Sequence, residues 1–332
     1  MATNTLKYFT SDGICGLEKS GKKGRTIDAL LALKVGYAVG MKYLKQGDSV
    51  AVVGKATARA DYMIENALTG GLLAAGIDVR LLGPMPTPAV GMLVRSLRAE
   101  VGIMISVGDR SHDKVSIKLF GADGLDLTHE EKTDIDQRLC ADLPEELGDG
   151  VTPGKAKRID GPHDRYIEYA KRTLPAKMEF GDNLRVVVDC ANGATYKVVP
   201  EALRELGIEV VTMNIEPDGT NINHNCGFSM ESVLRSRVHD VRANIGFAFN
   251  GDGSDIVIMS EAHHEQKLTC EEVETILAHG REKWEKVAEL NGSAKGDGLV
   301  AALQILAVVQ DSGKKVSELI ESLKPKPIKA VA

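Results

Sequence analysis

A strand–helix–strand rhythm, run through once and then started again, confines this chain to layered α/β architecture. "SVAVVG" (Ser49–Gly54) reads as a buried strand, and "YMIENALTGGLLAAG" (Tyr62–Gly76) as an amphipathic helix closed by glycine. "DVRLLG" (Asp78–Gly83) follows as a strand, "TPAVGMLVRSLR" (Thr87–Arg98) as a helix and "VGIMIS" (Val101–Ser106) as a third strand. Short apolar runs separated by helix-length amphipathic ones predict a largely parallel sheet covered by helices. The polar stretch Ala141–Pro162, with its glycines and prolines, reads as a linker. The rhythm then restarts with a strand (Leu184–Cys190), a helix (Tyr196–Gly207) and a strand (Ile208–Asn214). A loop rich in Asn and Gly leads to a helix (Met230–Asp240) and two strands, "NIGFAFN" and "DIVIMS". From Cys270 the pattern is helical only, over Glu271–Leu290 and Gly296–Gly313, and the chain closes with a short amphipathic helix and a Lys/Pro tail.

Charge narrows the function. Forty-one basic against 47 acidic residues leave a net charge of −6, which argues against nucleic acid as a partner, because neutralising phosphates needs clustered excess Lys and Arg. The basic clusters Lys19–Arg25 and Lys324–Lys329 read as a solvated loop and tail. Five cysteines (Cys15, Cys140, Cys190, Cys226, Cys270) share no CxxC spacing. That argues against a disulfide framework or zinc site and favours a reducing, cytoplasmic setting. No run approaches the ~18 apolar residues of a membrane span, and the N-terminus lacks a signal-peptide core, so no membrane partner is expected.

The segment Gly102–Gly121, "GIMISVGDRSHDKVSIKLFG", carries an apolar strand into a polar crossing at Ser106–Ser116 and out along Ile117–Phe120. A strand-end loop of this kind is where an α/β domain places its chemistry. Its sequence offers neither an obvious nucleophile–base pair nor a phosphate-cradling glycine run.

The words "KYFTSDGICG", "PMPTPAVGMLVRSLRAEVGIMIS" and "VVVDCANGATYKVVPEALRELGIEVVTMNIEPDGTNINHNCG" together resemble the α-D-phosphohexomutase superfamily, and within it the phosphoglucosamine mutases. The resemblance implies two phosphohexomutase-type α/β domains, I over residues 1–152 and II over 153–260. A reduced helical remnant of domain III (261–313), a C-terminal tail (314–332) and an absent fourth domain complete the expected layout. Between Gln266 and Lys295 stand about 28 residues where the family has on the order of a hundred, a shortfall approaching a domain's worth of chain. Family enzymes move a phosphate between C1 and C6 of a sugar with a phosphoserine, a magnesium ion and a sugar-gripping loop.

Position by position, the resemblance implies losses. The phosphoserine position is Gly108 and the following histidine position is Asp109; without a hydroxyl, Gly108 carries no phosphate. The metal loop keeps Asp252, while Asn250 and Ser254 stand for two carboxylates and Asp255 for the arginine. One carboxylate among neutral groups holds magnesium poorly, so no cofactor is expected and Mg2+ is the one ion left in play. Cys15 replaces the opening arginine, and Ala56 and Ala58 replace a charged pair. The strands between these positions are intact, which marks a folded protein.

The expectation is therefore a catalytically inactive pseudoenzyme acting by protein binding, a homodimer through domain I or a heteromer with an active mutase or a pathway enzyme. The alternative is new chemistry on a phosphorylated-sugar or nucleotide-like ligand in a remodelled cleft lined by Asp12, Cys15, Asp109, Asp252 and Asp255, a lining that reads as acidic. In that cleft Asp109, His112 and Asp113 form either a new metal or acid–base site or a solvated loop. Cys15 is either a nucleophile or a small filler, and Lys118 either touches an anion or is a half-exposed strand lysine. His263 and His264 read as a turn, since neighbours on a strand face opposite ways, and Ser11–Gly13 as structural.

Overall fold

The computed structural model describes residues 6–17, 25–45, 49–107, 114–181, 184–262, 267–284 and 296–323. Gly108, Asp109, His112, Asp113, the 263–264 histidine pair, most of the 19–25 cluster and the whole 324–329 cluster lie outside these residues.

The first domain is a seven-stranded sheet. Its strands are β1 (Phe9–Thr10), β2 (Gly13–Leu17), β3 (Val50–Lys55), β4 (Asp78–Pro84), β5 (Val101–Val107), β6 (Lys114–Phe120) and β7 (Ala156–Arg158), in the order β1-β2-β6-β5-β3-β4-β7. The half running β5-β3-β4-β7 is parallel, as the rhythm predicted, and the β6-β2-β1 half is antiparallel. Strand β7 lies inside the stretch read as linker. Polar and exposed along its length, it gives no apolar signal, and it joins the sheet through backbone bonds to the edge of β4.

Helices α1 (Ala29–Tyr43), α2 (Arg59–Ala74), α3 (Thr87–Leu97) and α4 (His129–Cys140) cover the sheet. The Asp28 side chain caps α1 through Leu31 N, and Thr128 with Glu131 forms a capping box on α4. Helices α1 and α2 pack backbone against backbone. A Cβ on Gly36 would meet the Leu68 carbonyl oxygen at 2.0 Å, and one on Gly71 the Leu33 oxygen at 2.1 Å. Only glycine permits that approach.

The second domain holds β8 (Arg185–Asp189), β9 (Glu209–Met213), β10 (Ile245–Phe249) and β11 (Ile256–Ser260), ordered β11-β10-β8-β9, with only the β10–β11 pair antiparallel. Helices α5 (Pro162–Lys171), α6 (Val198–Glu205) and α7 (Glu231–Asp240) accompany it. Beyond β11 the described residues form α8 (Cys270–Lys283), α9 (Gly298–Ser312) and α10 (Val316–Leu323). Helix α9 is buried along Gly298–Val309. Such all-round burial is what its nearly uninterrupted apolar sequence requires. One core cluster joins Val52, Met104 and Leu93 of the first domain, Val188 and Phe249 of the second, and Leu303 and Leu306 of α9.

Candidate active-site cleft

The loop between β10 and β11, residues 250–255, closes on itself and on the first domain. Asp252 is buried, and each of its carboxylate oxygens is taken. Oδ1 accepts from Ser254 Oγ (2.6 Å) and Ser254 N (3.1 Å); Oδ2 accepts from Thr87 Oγ1 (2.7 Å) and Lys118 Nζ (2.8 Å). Thr87, at the start of α3, also donates its backbone N–H to the Asp252 carbonyl at 2.9 Å. Burial raises the Asp252 pKa, but the Lys118 charge, its hydrogen bond and those of Ser254 and Thr87 outweigh it, so the carboxyl sits below its ordinary value. Asn250 Nδ2 donates to Ser254 Oγ at 3.0 Å, and Asn250 Oδ1 accepts from Asp255 N at 3.1 Å. Asp255 Oδ1 accepts from Ile256 N at 2.8 Å, capping its own strand.

Above this loop lies a cavity of about 360 Å3, walled by β1–β2, α3, β6 and the turn before α9. Lys118, Arg95, Lys132, Asp12 and Ser254 line it. The lining expected from sequence was acidic; in the structure three cations, Lys118, Arg95 and Lys132, share it with three carboxylates, Asp12, Asp126 and Asp297. Asp252 is withdrawn and neutralised by Lys118, and Asp255 lines a different cavity, of about 1000 Å3, between β11, α8 and α9. Arg95 and Lys132, which sequence reasoning missed, come from opposite helices to meet at the first cavity. No local motif marks them, because they stand on different helices, α3 and α4, and reach one cavity only in the fold.

The remaining candidates separate. Asp12 is exposed at the cavity wall, its N–H donating to Thr10 Oγ1 at 3.2 Å. Gly13 keeps φ at +96°, and a Cβ there would strike the Ile117 oxygen at 2.5 Å, so the reading of Ser11–Gly13 as structural holds for its glycine. Cys15 accepts from Thr10 Oγ1 at 3.3 Å and donates to the Asp12 oxygen at 3.7 Å, within its own hairpin. All five cysteines are free. At the base of the strand-end loop, Ser106 and Ser116 are buried and bond to each other at 3.0 Å. Asp297, whose place before an apolar run signals a helix cap, caps α9 through Val300 N and accepts from Tyr166 Oη at 2.7 Å. Burial pushes its pKa up to about 6 against the bonds from Val300, Tyr166 and Leu299.

Whether this loop fits a magnesium ion is decided by its donors. Protein-bound Mg2+ takes oxygen lone pairs in near-octahedral geometry. Here the one buried carboxylate, Asp252, already accepts four hydrogen bonds, one of them from an ammonium group, and the Asn250 and Ser254 oxygens and the exposed Asp255 are bonded locally. Among the described residues no group of three or more His, Cys, Asp or Glu side chains is arranged to hold a metal. The residues present do not fit the ion that members of the family use.

Residues 6–144, 164–263 and 253–326 match alpha/beta/alpha domains I, II and III of the phosphoglucomutase/phosphomannomutase family. A phosphoglucosamine mutase of Mesorhizobium japonicum is 42% identical over 374 residues, covering 96% of this chain and 82% of that protein. One of Azorhizobium caulinodans is 40% identical over 378 residues, covering 97% and 83%. Among solved structures, a phosphoglucomutase/phosphomannomutase family protein of Burkholderia thailandensis superposes with a TM-score of 0.75 at 20% identity, over 97% of this chain and 80% of that one. The two mutase relatives overturn the expectation of a catalytically inactive protein. Relatives this similar over nearly the whole chain are named as phosphoglucosamine mutases. Among the described residues no helix is long and apolar enough to cross a membrane.

Proposed function

Since the chain belongs to the phosphoglucomutase/phosphomannomutase family, and specifically to its α-D-phosphohexomutase lineage beside the phosphoglucosamine mutases, we propose that it acts as a mutase on a phosphorylated hexosamine in the 360 Å3 cavity. The observation that carries this reading is a cavity of sugar size in which three cations, Lys118, Arg95 and Lys132, stand among three carboxylates, Asp12, Asp126 and Asp297. The cations offer donors to a phosphate monoester, and the carboxylates offer acceptors to sugar hydroxyls or an amino group.

Phosphoryl transfer needs an acceptor, and Gly108 has none. Ser106 and Ser116 are spent on each other. Between Val107 and Val115 the remaining hydroxyl is that of Ser111, and we assign it the acceptor role: its oxygen takes the phosphoryl group from O6 of the sugar, which leaves as the free hydroxyl, and then passes the group to O1. The test is conversion of glucosamine 6-phosphate to the 1-phosphate by the purified chain, with intact mass before and after. The expected result is turnover and a phosphoryl adduct lost in Ser111→Ala. Absence of both turnover and calorimetric binding of glucosamine 6-phosphate overturns the reading.

Two finer points belong to the same proposal. The third domain is reduced: the described residues beyond β11 are helical, and alignments of 374 to 378 positions exceed the chain's own 332 residues, so the relatives carry residues this chain lacks. The protein works in the cytoplasm as a homodimer through its first domain, whose helices α1 and α2 expose Leu30, Met41, Tyr62 and Met63.

A further inference from the structure

The loop that holds a divalent ion in the family here holds a lysine. Lys118 rises from β6 toward the 250–255 loop, and its Nζ lies 2.8 Å from Asp252 Oδ2. The carboxylate side chain is fully buried and the lysine 22% exposed, so one face of the ammonium is sealed against Asp252 while its side chain still lines the cavity. We propose that Lys118 is the resident cation of this cleft and that the Asp252 loop is not a divalent-metal site, so a phosphoryl group bound here meets an ammonium group in place of a metal ion. The last clause rests on the phosphosugar reading above; the first does not.

Three observations support the exchange. The charges match: one ammonium neutralises the one buried carboxylate of the loop, while Asp255 is exposed and accepts from Ile256 N. The hydrogen bonds match as well. Thr87 and Ser254 donate to Asp252 from both sides, an arrangement that suits a carboxylate facing cations and hydroxyls but leaves no lone pair aimed at a metal. Finally, the loop is locked: Asn250 bonds to Ser254 and to Asp255 N, so its amide oxygen does not point toward Asp252 as a second ligand would.

Titration of the wild-type chain with Mn2+, read from the loss of the free-ion paramagnetic resonance signal, decides the metal question without any variant. The expected result is that Mn2+ stays free. Binding of one Mn2+ per chain, abolished by Asp252→Asn, would overturn the proposal. Calorimetry with glucosamine 6-phosphate then tests the consequence. The affinity should agree within twofold in EDTA and in Mg2+, fall at least tenfold in Lys118→Gln and be largely kept in Lys118→Arg. Affinity that disappears in EDTA refutes the proposal. No binding in either buffer, with Mn2+ still free, refutes the phosphosugar reading and leaves the assignment of Lys118 as the loop's cation supported.

Discussion

Replacing Lys118 with methionine removes the charge while keeping the length of its stem, and it leaves Asp252 buried beside three remaining donors from Thr87 and Ser254. Breaking a buried ion pair from one side costs about 3–5 kcal/mol. The surviving hydrogen bonds and the 22% exposure of the lysine place the expected loss at the lower end, about 3 kcal/mol at neutral pH. The pH dependence makes the reasoning specific. In the wild type the Asp252 pKa is depressed, so its contribution is fully present above the unfolded value of about 3.9 and is lost as pH falls through the folded pKa. Without the ammonium, burial dominates and raises the folded pKa above the unfolded one. The penalty is then complete at high pH and is relieved as acid protonates the carboxyl. Urea unfolding followed by circular dichroism at about pH 7 and again near pH 4.5 should therefore show a gap between wild type and Lys118→Met that narrows in acid. A gap below about 0.5 kcal/mol at neutral pH, the ordinary scatter of surface substitutions, or a gap independent of pH, would refute the account of Asp252 as a carboxylate held ionised by Lys118.

Asp297 should show the opposite sign. Its pKa is pushed up to about 6, so it opposes folding progressively as pH rises from about 4 to about 6, by roughly two pKa units or about 3 kcal/mol. In Asp297→Asn that part of the stability–pH curve should flatten; an unchanged slope over that interval would assign the burial penalty elsewhere. If the first domain forms the dimer, Leu30→Lys on α1, where Leu30 is 67% exposed, should convert the chain to a monomer by light scattering at unchanged thermal stability. A monomeric wild type would dismiss the interface.

Much of the fold is written in local pattern. The strands at Val50–Lys55, Val101–Val107 and Arg185–Asp189 are apolar runs suited to a sheet covered on both faces, and α3 carries a proline at its start. The edge strand Ala156–Arg158 carries no such run, since its place depends on unpaired backbone groups of β4. Helix α1, entered through its Asp28 cap and fitted to α2 by Gly36, depends on a partner 30 residues away.

The site divides along the same physical line. The sequence settles which side chains are available: glycine at 108, aspartates at 252 and 255 beside the neutral Asn250 and Ser254, and lysine at 118. Composition at a position is a covalent fact, and a missing hydroxyl or carboxylate is not restored by folding. What those groups face was decided by tertiary structure alone. Lys118 and Asp252 are separated by 134 positions and meet because β6 and the β10–β11 loop converge at the domain boundary. Arg95 and Lys132 join Lys118 in a lining that also carries Asp12, Asp126 and Asp297, again only through the fold. Electrostatic interaction depends on distance and burial in three dimensions, and neither is a property of sequence separation.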